Sequence, residues 1–238
     1  MHATLHKALK QAVADGLIPC NVTDAVKAPR PVKKEIRPLN AEQARILLDT
    51  TRGDRLEALY VVAVTVGMRE GELLGLKWED LDLDAGKLAV RRSLSITRDG
   101  TAYELPKNGK GRSIKLTARA VEALKRHKAA QNVERLRLGT LWQDHGHVFL
   151  GHAGQSMRAW SLTGGPVLRL LKRAGLPENT RFHDLRHTCA TLLLGRGVHP
   201  KIVQELLGHA TISITLDTYS HVLPGMGDQA ATAMDDAL

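Results

Sequence analysis

The chain has 238 residues, with 34 Lys/Arg against 25 Asp/Glu, a formal net charge of +9 and 43% hydrophobic residues. That apolar content can fill a core and excludes disorder over most of the length; no run approaches the ~18 apolar residues of a membrane span, and residues 1–10 lack a signal-peptide apolar region. Two cysteines, Cys20 and Cys189, exclude a disulfide framework and a four-thiolate metal site and point to a reducing cytoplasm.

Leu5, Leu9, Ala12 and Val13 recur at helical spacing over 4–17, and Gly16 with Pro19 stops that helix. Residues 28–39 are Pro-rich and basic, an extended linker that carries Lys33 and Lys34. One amphipathic helix cannot bury its own apolar face, so 1–27 reads as the last helix of a domain that the chain mostly lacks. The main body, 40–224, opens at Asn40, which forms a capping box with Gln43. Helices are predicted at 40–50, 54–66 and 69–76. Over 87–116 the period becomes alternating, and Arg98-Asp-Gly100 and Asn108-Gly-Lys-Gly111 supply the turns of a three-stranded antiparallel sheet. A charged helix follows at 117–137, then a short strand at 148–150 and helices at 161–174, 183–195, 200–207 and 212–220. The fold class is α+β, mostly α: a helical domain with a small three-stranded antiparallel sheet. Residues 225–238 form a small, acidic tail with Ala230, Ala231 and Met234 at helical spacing.

Four constellations carry chemistry. On the helix from 183, His183, Arg186, His187 and Ala190 share one arc, opposite a core stripe of Leu185, Cys189, Leu192 and Leu193. An imidazole and a guanidinium then project together from a helix start, where free N–H groups favour an anion. Taken alone, such a pair is equally a solvated polar face. His183 and His187 also have zinc-ligand spacing, but Arg186 between them repels a divalent cation and no metal is expected. Arg69, after Gly67, is a cation at the unfavourable end of a helix dipole and needs compensation, from Glu72 or from a bound anion. From 105 to 128, eight Lys/Arg stand against one Glu. Lys107, Lys110, Arg112 and Lys115 lie in and beside a turn and can reach phosphate oxygens. Gly109 and Gly111 fit neither the P-loop nor the dinucleotide fingerprint, so no nucleotide cofactor is expected.

The fourth constellation is Leu206-Leu-Gly-His209 followed by Tyr219. Eight aromatic residues are few for a platform that stacks single strands, which leaves duplex binding open. Three tyrosines make a short list for a nucleophile. Tyr60 lies in an apolar run, Tyr103 in a strand, and Tyr219 in a polar setting near His209 and His221.

In this order the pieces resemble the tyrosine recombinase, or phage integrase, family over about residues 38–223. They are Arg within Gly-Met-Arg-x-Gly-Glu-Leu-Leu-Gly-Leu-x-Trp, a hairpin Lys, His-x-Leu-Arg-His-Thr, Leu-Gly-His, and a Tyr ten residues later. The resemblance implies the tyrosine recombinase catalytic fold. It also implies Arg69, Lys107 (with Lys110 the alternative), His183, Arg186 and His209 as catalytic residues, Glu72 as support and Tyr219 as nucleophile. DNA-backbone contacts are expected from Lys33, Lys34, Lys110, Arg112 and Lys115. Residues 1–37 resemble the end of the family's core-binding domain, and the turn at 98–100 is similar to integrases of phages and conjugative elements.

The implied activity is site-specific recombination or integration of a mobile element through a 3′-phosphotyrosyl intermediate, without cofactor or metal. The implied partners are double-stranded DNA and further copies of the chain, a tetramer on paired sites, with the tail docking on a neighbour. No membrane is involved, and the setting is the cytoplasm, at the bacterial nucleoid. Because most of the core-binding domain is missing, a non-catalytic DNA-binding or regulatory fragment is an alternative. A type IB topoisomerase-like enzyme is another.

Overall fold

A computed structural model describes residues 2–28, 36–97, 100–106, 109, 111–143, 145–157, 162, 165–220 and 234–236. The chain divides into two units, 1–35 and 36–238. In the first, helix α1 (His2–Ala14) buries none of its residues, and Leu5 and Leu17 are exposed. A turn of 3-10 helix (Val22–Ala25) folds back beside it. Asn21 joins the two: its Oδ1 accepts from the Thr23 N–H (3.1 Å) and its amide donates to the His6 carbonyl (3.1 Å). Among the described residues of this unit no apolar side chain is buried, and polar bonds hold the turn against the helix.

The second unit holds α2 (Ala41–Thr50), α3 (Glu57–Val66), α4 (Glu70–Leu74), α5 (Ala118–Leu138), α6 (Gly165–Arg173), α7 (Asp184–Gly195), α8 (Pro200–Leu207) and α9 (Ile212–Tyr219). The expected box opens α2: Asn40 Oδ1 accepts from the Gln43 N–H (2.8 Å), and Gln43 Oε1 from the Asn40 N–H (3.0 Å). Helix α3 is apolar all round, and such a helix belongs at a centre. It packs on both α5 and α7, and its residues from Ala58 to Val64 are buried with Leu73, Leu124, Leu171 and Leu185. A smaller cluster joins Ala190 and Leu194 of α7 to Val203 and Leu207 of α8 and Tyr219 of α9.

The strands differ from expectation in membership. The three-stranded antiparallel sheet is ordered β1 (Leu81–Asp82), β2 (Lys87–Val90), β5 (Arg112–Lys115), with Leu88 opposite Ile114 and Val90 opposite Arg112. Between β2 and β5 the chain makes a separate ribbon, β3 (Ser93–Thr97) with β4 (Gly100–Glu104). Two sets of contacts accompany the split. Arg92 leaves the ladder and binds Glu79 (2.9 Å) and Asp80 (3.3 Å). Strand β3 then runs directly over α4, where a Cβ on Gly71 would stand 2.5 Å from Ser93 Oγ and 2.8 Å from the Leu94 carbonyl oxygen. At the strand expected over 148–150 there are single bridges, Lys77 with His147 and Leu150 with Ser156.

Candidate active site

Gly67 ends α3 at φ +65°, the left-handed conformation that disfavours a side chain. A Cβ there would also stand 2.6 Å from Leu207 Cδ2 and 3.2 Å from Cys189. This turn delivers Arg69 to the start of α4. Glu72 Oε2 accepts from the Arg69 backbone N–H (2.9 Å) and Oε1 from Arg69 Nη1 (2.8 Å). The same carboxylate takes two bonds from Arg112 of β5, Nη1 to Oε1 (3.0 Å) and Nη2 to Oε2 (2.8 Å). Glu72 is 1% exposed. Burial alone would push its carboxyl up, but Arg112 and Arg69 outweigh it and hold the group below the ordinary carboxylate range.

Both guanidinia also donate to the last turn of α8: Arg69 Nη2 to the Gly208 carbonyl (2.7 Å) and Arg112 Nε to that of Leu206 (2.8 Å). A helix C-terminus is its negative end, so the placement is electrostatically favourable. The dipole conflict at Arg69 is thus resolved internally. One buried carboxylate and one helix end fasten α4, β5 and α8 together.

Helix α7 starts after His183, and Asp184 secures the turn by accepting from the Arg181 N–H (2.8 Å) and its guanidinium. Arg186 Nη1 donates to the Gly67 carbonyl (2.7 Å), which ties α7 to the α3–α4 junction. Burial and then the nearby Arg69 bring its pKa down to about 10, so it stays cationic near neutrality. The arc of His183, Arg186, His187 and Ala190 is solvated only at its start, where His183 is exposed and His187 half-buried. Arg186 and Ala190 are buried, because α8 and α9 pack over α7.

His209 follows the left-handed cap Gly208 of α8, with Nδ1 2.9 Å from Thr215 Oγ1. Burial, then Arg186 and Arg69, bring its pKa down to about 4 and keep the ring neutral. Burial and Arg186 also lower that of His183. Arg69, His183, Arg186 and His209 converge on an open hollow of about 440 Å³, bordered by Gly208 and Ile214. Two anchored guanidinia and two imidazoles around one space suit a tetrahedral oxyanion.

Tyr219 is the last residue of α9, 1% exposed within the smaller apolar cluster. Its hydroxyl lies 2.6 Å from His187 Nδ1. Burial pushes the phenol up to about 12, while burial and His183 push His187 down to about 4. The His183 ring meets that of His187 edge-on, with centroids 5.1 Å apart. Of the other tyrosines, Tyr60 is buried in the core and Tyr103 is half exposed on β4, with its hydroxyl on His147 Nε2 (2.8 Å).

The remaining sequence-predicted residues separate. Arg112, expected on DNA backbone, is turned inward as the second clamp on Glu72. Strand alternation carries the signal, since Arg112 shares a face with buried Ile114. Lys115 lies on the opposite, exposed face, and its Nζ donates to the Ala85 carbonyl (2.8 Å). Lys33, Lys34, Lys107 and Lys110 lie outside the described residues. His187 has no catalytic assignment from the sequence, yet its place on the His183–Arg186 arc already sets it beside the site. Among the described residues no group of three or more His, Cys, Asp or Glu is placed to hold a metal. None of their helices is long and apolar enough to cross a membrane.

Residues 35–225 match the model of the phage integrase family, and the chain belongs to that family. It is similar to a "Tyrosine recombinase XerC-like" protein of Caldanaerobacter subterraneus subsp. tengcongensis, 35% identical over 218 residues, 86% of this chain and 55% of that protein. An "Integrase" of Streptomyces ambofaciens is 29% identical over 99% of this chain and 62% of its own length. The chain therefore spans little more than half the length of these relatives. Among solved structures, the Tn1549 transposon integrase in complex with transposon right end DNA superposes with a TM-score of 0.75 at 26% identity, over 99% of this chain and 77% of that one. A lambda integrase dimer bound to a core site shares the fold at 22% identity and a TM-score of 0.62, over 95% of this chain and 58% of that one.

Proposed function

We propose that residues 40–224 are a tyrosine recombinase catalytic domain that cleaves and rejoins duplex DNA at specific sites through a 3′-phosphotyrosyl intermediate. The observation that carries this reading is the convergence of Arg69, His183, Arg186 and His209 on one hollow. Tyr219 is bonded to His187 of the helix that bears Arg186.

The Tyr219 oxygen attacks the scissile phosphorus, forming one P–O bond as the bond to the 5′-oxygen breaks. Arg69 and Arg186 hold the non-bridging oxygens and offset charge that grows in the transition state, each such donor being worth ~10²–10³ in rate. His209 hydrogen-bonds the phosphate. Lys107, or Lys110, gives a proton to the departing 5′-oxygen, a role worth ~10²–10⁴. His183 takes the phenol proton. Attack by a 5′-hydroxyl of a second strand reverses the sequence, and the exchanged ester needs no ATP.

Duplex DNA is the proposed substrate, supported by the +9 charge and by the DNA in the Tn1549 integrase complex. Lys33, Lys34, Lys110 and Lys115 are assigned to its backbone. Residues 1–27 are assigned to the end of a core-binding domain, 28–39 to a linker and 225–238 to a tail that docks on a neighbouring copy in a tetramer on paired sites. The setting is the bacterial nucleoid.

Nicked suicide duplexes drawn from a library of sites test the reading, with EDTA present. Wild type is expected to trap a covalent adduct and Tyr219→Phe none. An adduct that survives the substitution overturns it. Salt-sensitive binding without an adduct on any site indicates a regulatory fragment, and relaxation of supercoils without sequence preference a topoisomerase.

A further inference from the structure

His187 has no role in that chemistry, yet it makes a polar contact with the nucleophile's hydroxyl. Its Nδ1 lies 2.6 Å from the Tyr219 hydroxyl, close for a neutral pair. We assign the phenol as donor and an unprotonated Nδ1 as acceptor, which places the ring's remaining proton on Nε2. The tyrosine ring is sealed by Ala190, Leu194, Val203 and Leu207. The hollow's wall is made by Arg69, His183, Arg186 and His209 without it. Attack requires the phenol oxygen about 3–3.5 Å from phosphorus with a free lone pair aimed at it. In this conformation the oxygen is engaged by His187 and Tyr219 does not border the hollow.

We propose that His187 is a positioning residue, a latch that holds Tyr219 in a retracted, protonated state. Breaking the Tyr219–His187 bond is the step that delivers the phenol to the Arg69–Arg186 hollow. The inference rests on Tyr219 being the nucleophile. It differs from a general-base role for His187, in which the bond would persist as the phenol attacks, whereas a latch releases the phenol first. Removing the imidazole acceptor leaves a buried hydroxyl without a partner, which penalises the retracted state and not the extended one.

The full chain carrying 3-fluorotyrosine gives three fluorine environments, and Tyr219→Phe assigns the one that matters. Exposure of that signal to a soluble paramagnet, and its titration, are compared in wild type, His187→Phe and His187→Gln. The expected result is an increase of about 10-fold in the exposed population for His187→Phe, the scale of one unsatisfied buried donor. His187→Gln retains an acceptor and stays nearer wild type. Adduct formation on the suicide duplex is expected to speed up in His187→Phe by a similar factor. His187→Leu tests the same loss if the Phe ring does not fit.

An unchanged, buried Tyr219 signal in both His187→Phe and His187→Leu overturns the latch. So does an exposed signal coupled to slower adduct formation, which would place His187 in the chemistry. If wild type forms no adduct on any duplex, the nucleophile assignment fails instead, and the fluorine measurement still decides whether the latch exists.

Discussion

Glu72 holds the cationic side of the site together. It accepts four bonds from Arg69 and Arg112 in a buried setting, so its loss leaves two guanidinia facing each other without a counter-charge. Breaking a buried ion pair from one side costs about 3–5 kcal/mol. Glu72→Ala is expected to lower the unfolding free energy by about that amount in urea titrations, and a change below about 1 kcal/mol would contradict the clamp. The histidines make a separate prediction. His147, His187 and His209 are each pushed down to about 4 in the folded protein, against an ordinary 6.5. Between those values the unfolded chain binds more protons, so their contribution is complete above pH 6.5 and is lost as pH falls toward 4. Glu72, held below 4.5, adds a loss at still lower pH. Melting temperature should therefore fall progressively from pH 6.5 to 4, more weakly in His147→Gln; a flat profile would refute the burial of neutral imidazoles. At this scale the cationic and imidazole positions were legible as types and order. Their partners were not: spacing along a helix shows that His187 faces the site, but not that a tyrosine 32 positions later meets it.

At the scale of elements, the α3–α4 turn positions two arginines at once, Arg69 through the chain and Arg186 through the Gly67 carbonyl. Gly67→Ala forces a side chain into a left-handed turn, at about 1–3 kcal/mol, and into contact with Leu207. Gly53→Ala provides the control, with a similar φ of +77° and nothing within 4 Å of the added Cβ. Thermal melts should show a larger loss for Gly67→Ala, and adduct formation should fall only there. Equal effects would mean that the turn serves stability alone. Helices were readable because their signals are local: Asn40 with Gln43, apolar spacing in α3, and Gly208 after α8. The sheet was less so. Alternation located each strand, but the pairing of β2 with β5 depends on Arg92 turning away and on β3 lying across α4, contacts made between distant segments.

Over the whole molecule, the charge excess divides by depth. Arg69, Arg112 and Arg186 are anchored inside, while Lys115 lies outside on the sheet. The order of motifs was enough to indicate the family, because the Gly-Met-Arg, His-x-x-Arg and Leu-Gly-His segments together are far more specific than any one of them. The retracted tyrosine was invisible to that order, since a conformational state leaves no spacing. The central claim is that Tyr219 becomes covalently joined to DNA, and the sequence makes it simple to test. Beyond Lys201 there is no Lys or Arg, so trypsin releases residues 202–238 as one peptide whose single tyrosine is Tyr219, with Tyr60 and Tyr103 on other peptides. Mass spectrometry of the trapped, nuclease-trimmed adduct should find the nucleotide mass on the 202–238 peptide. A nucleotide on the peptide of Tyr60 or Tyr103, or on a residue other than tyrosine, would contradict the account.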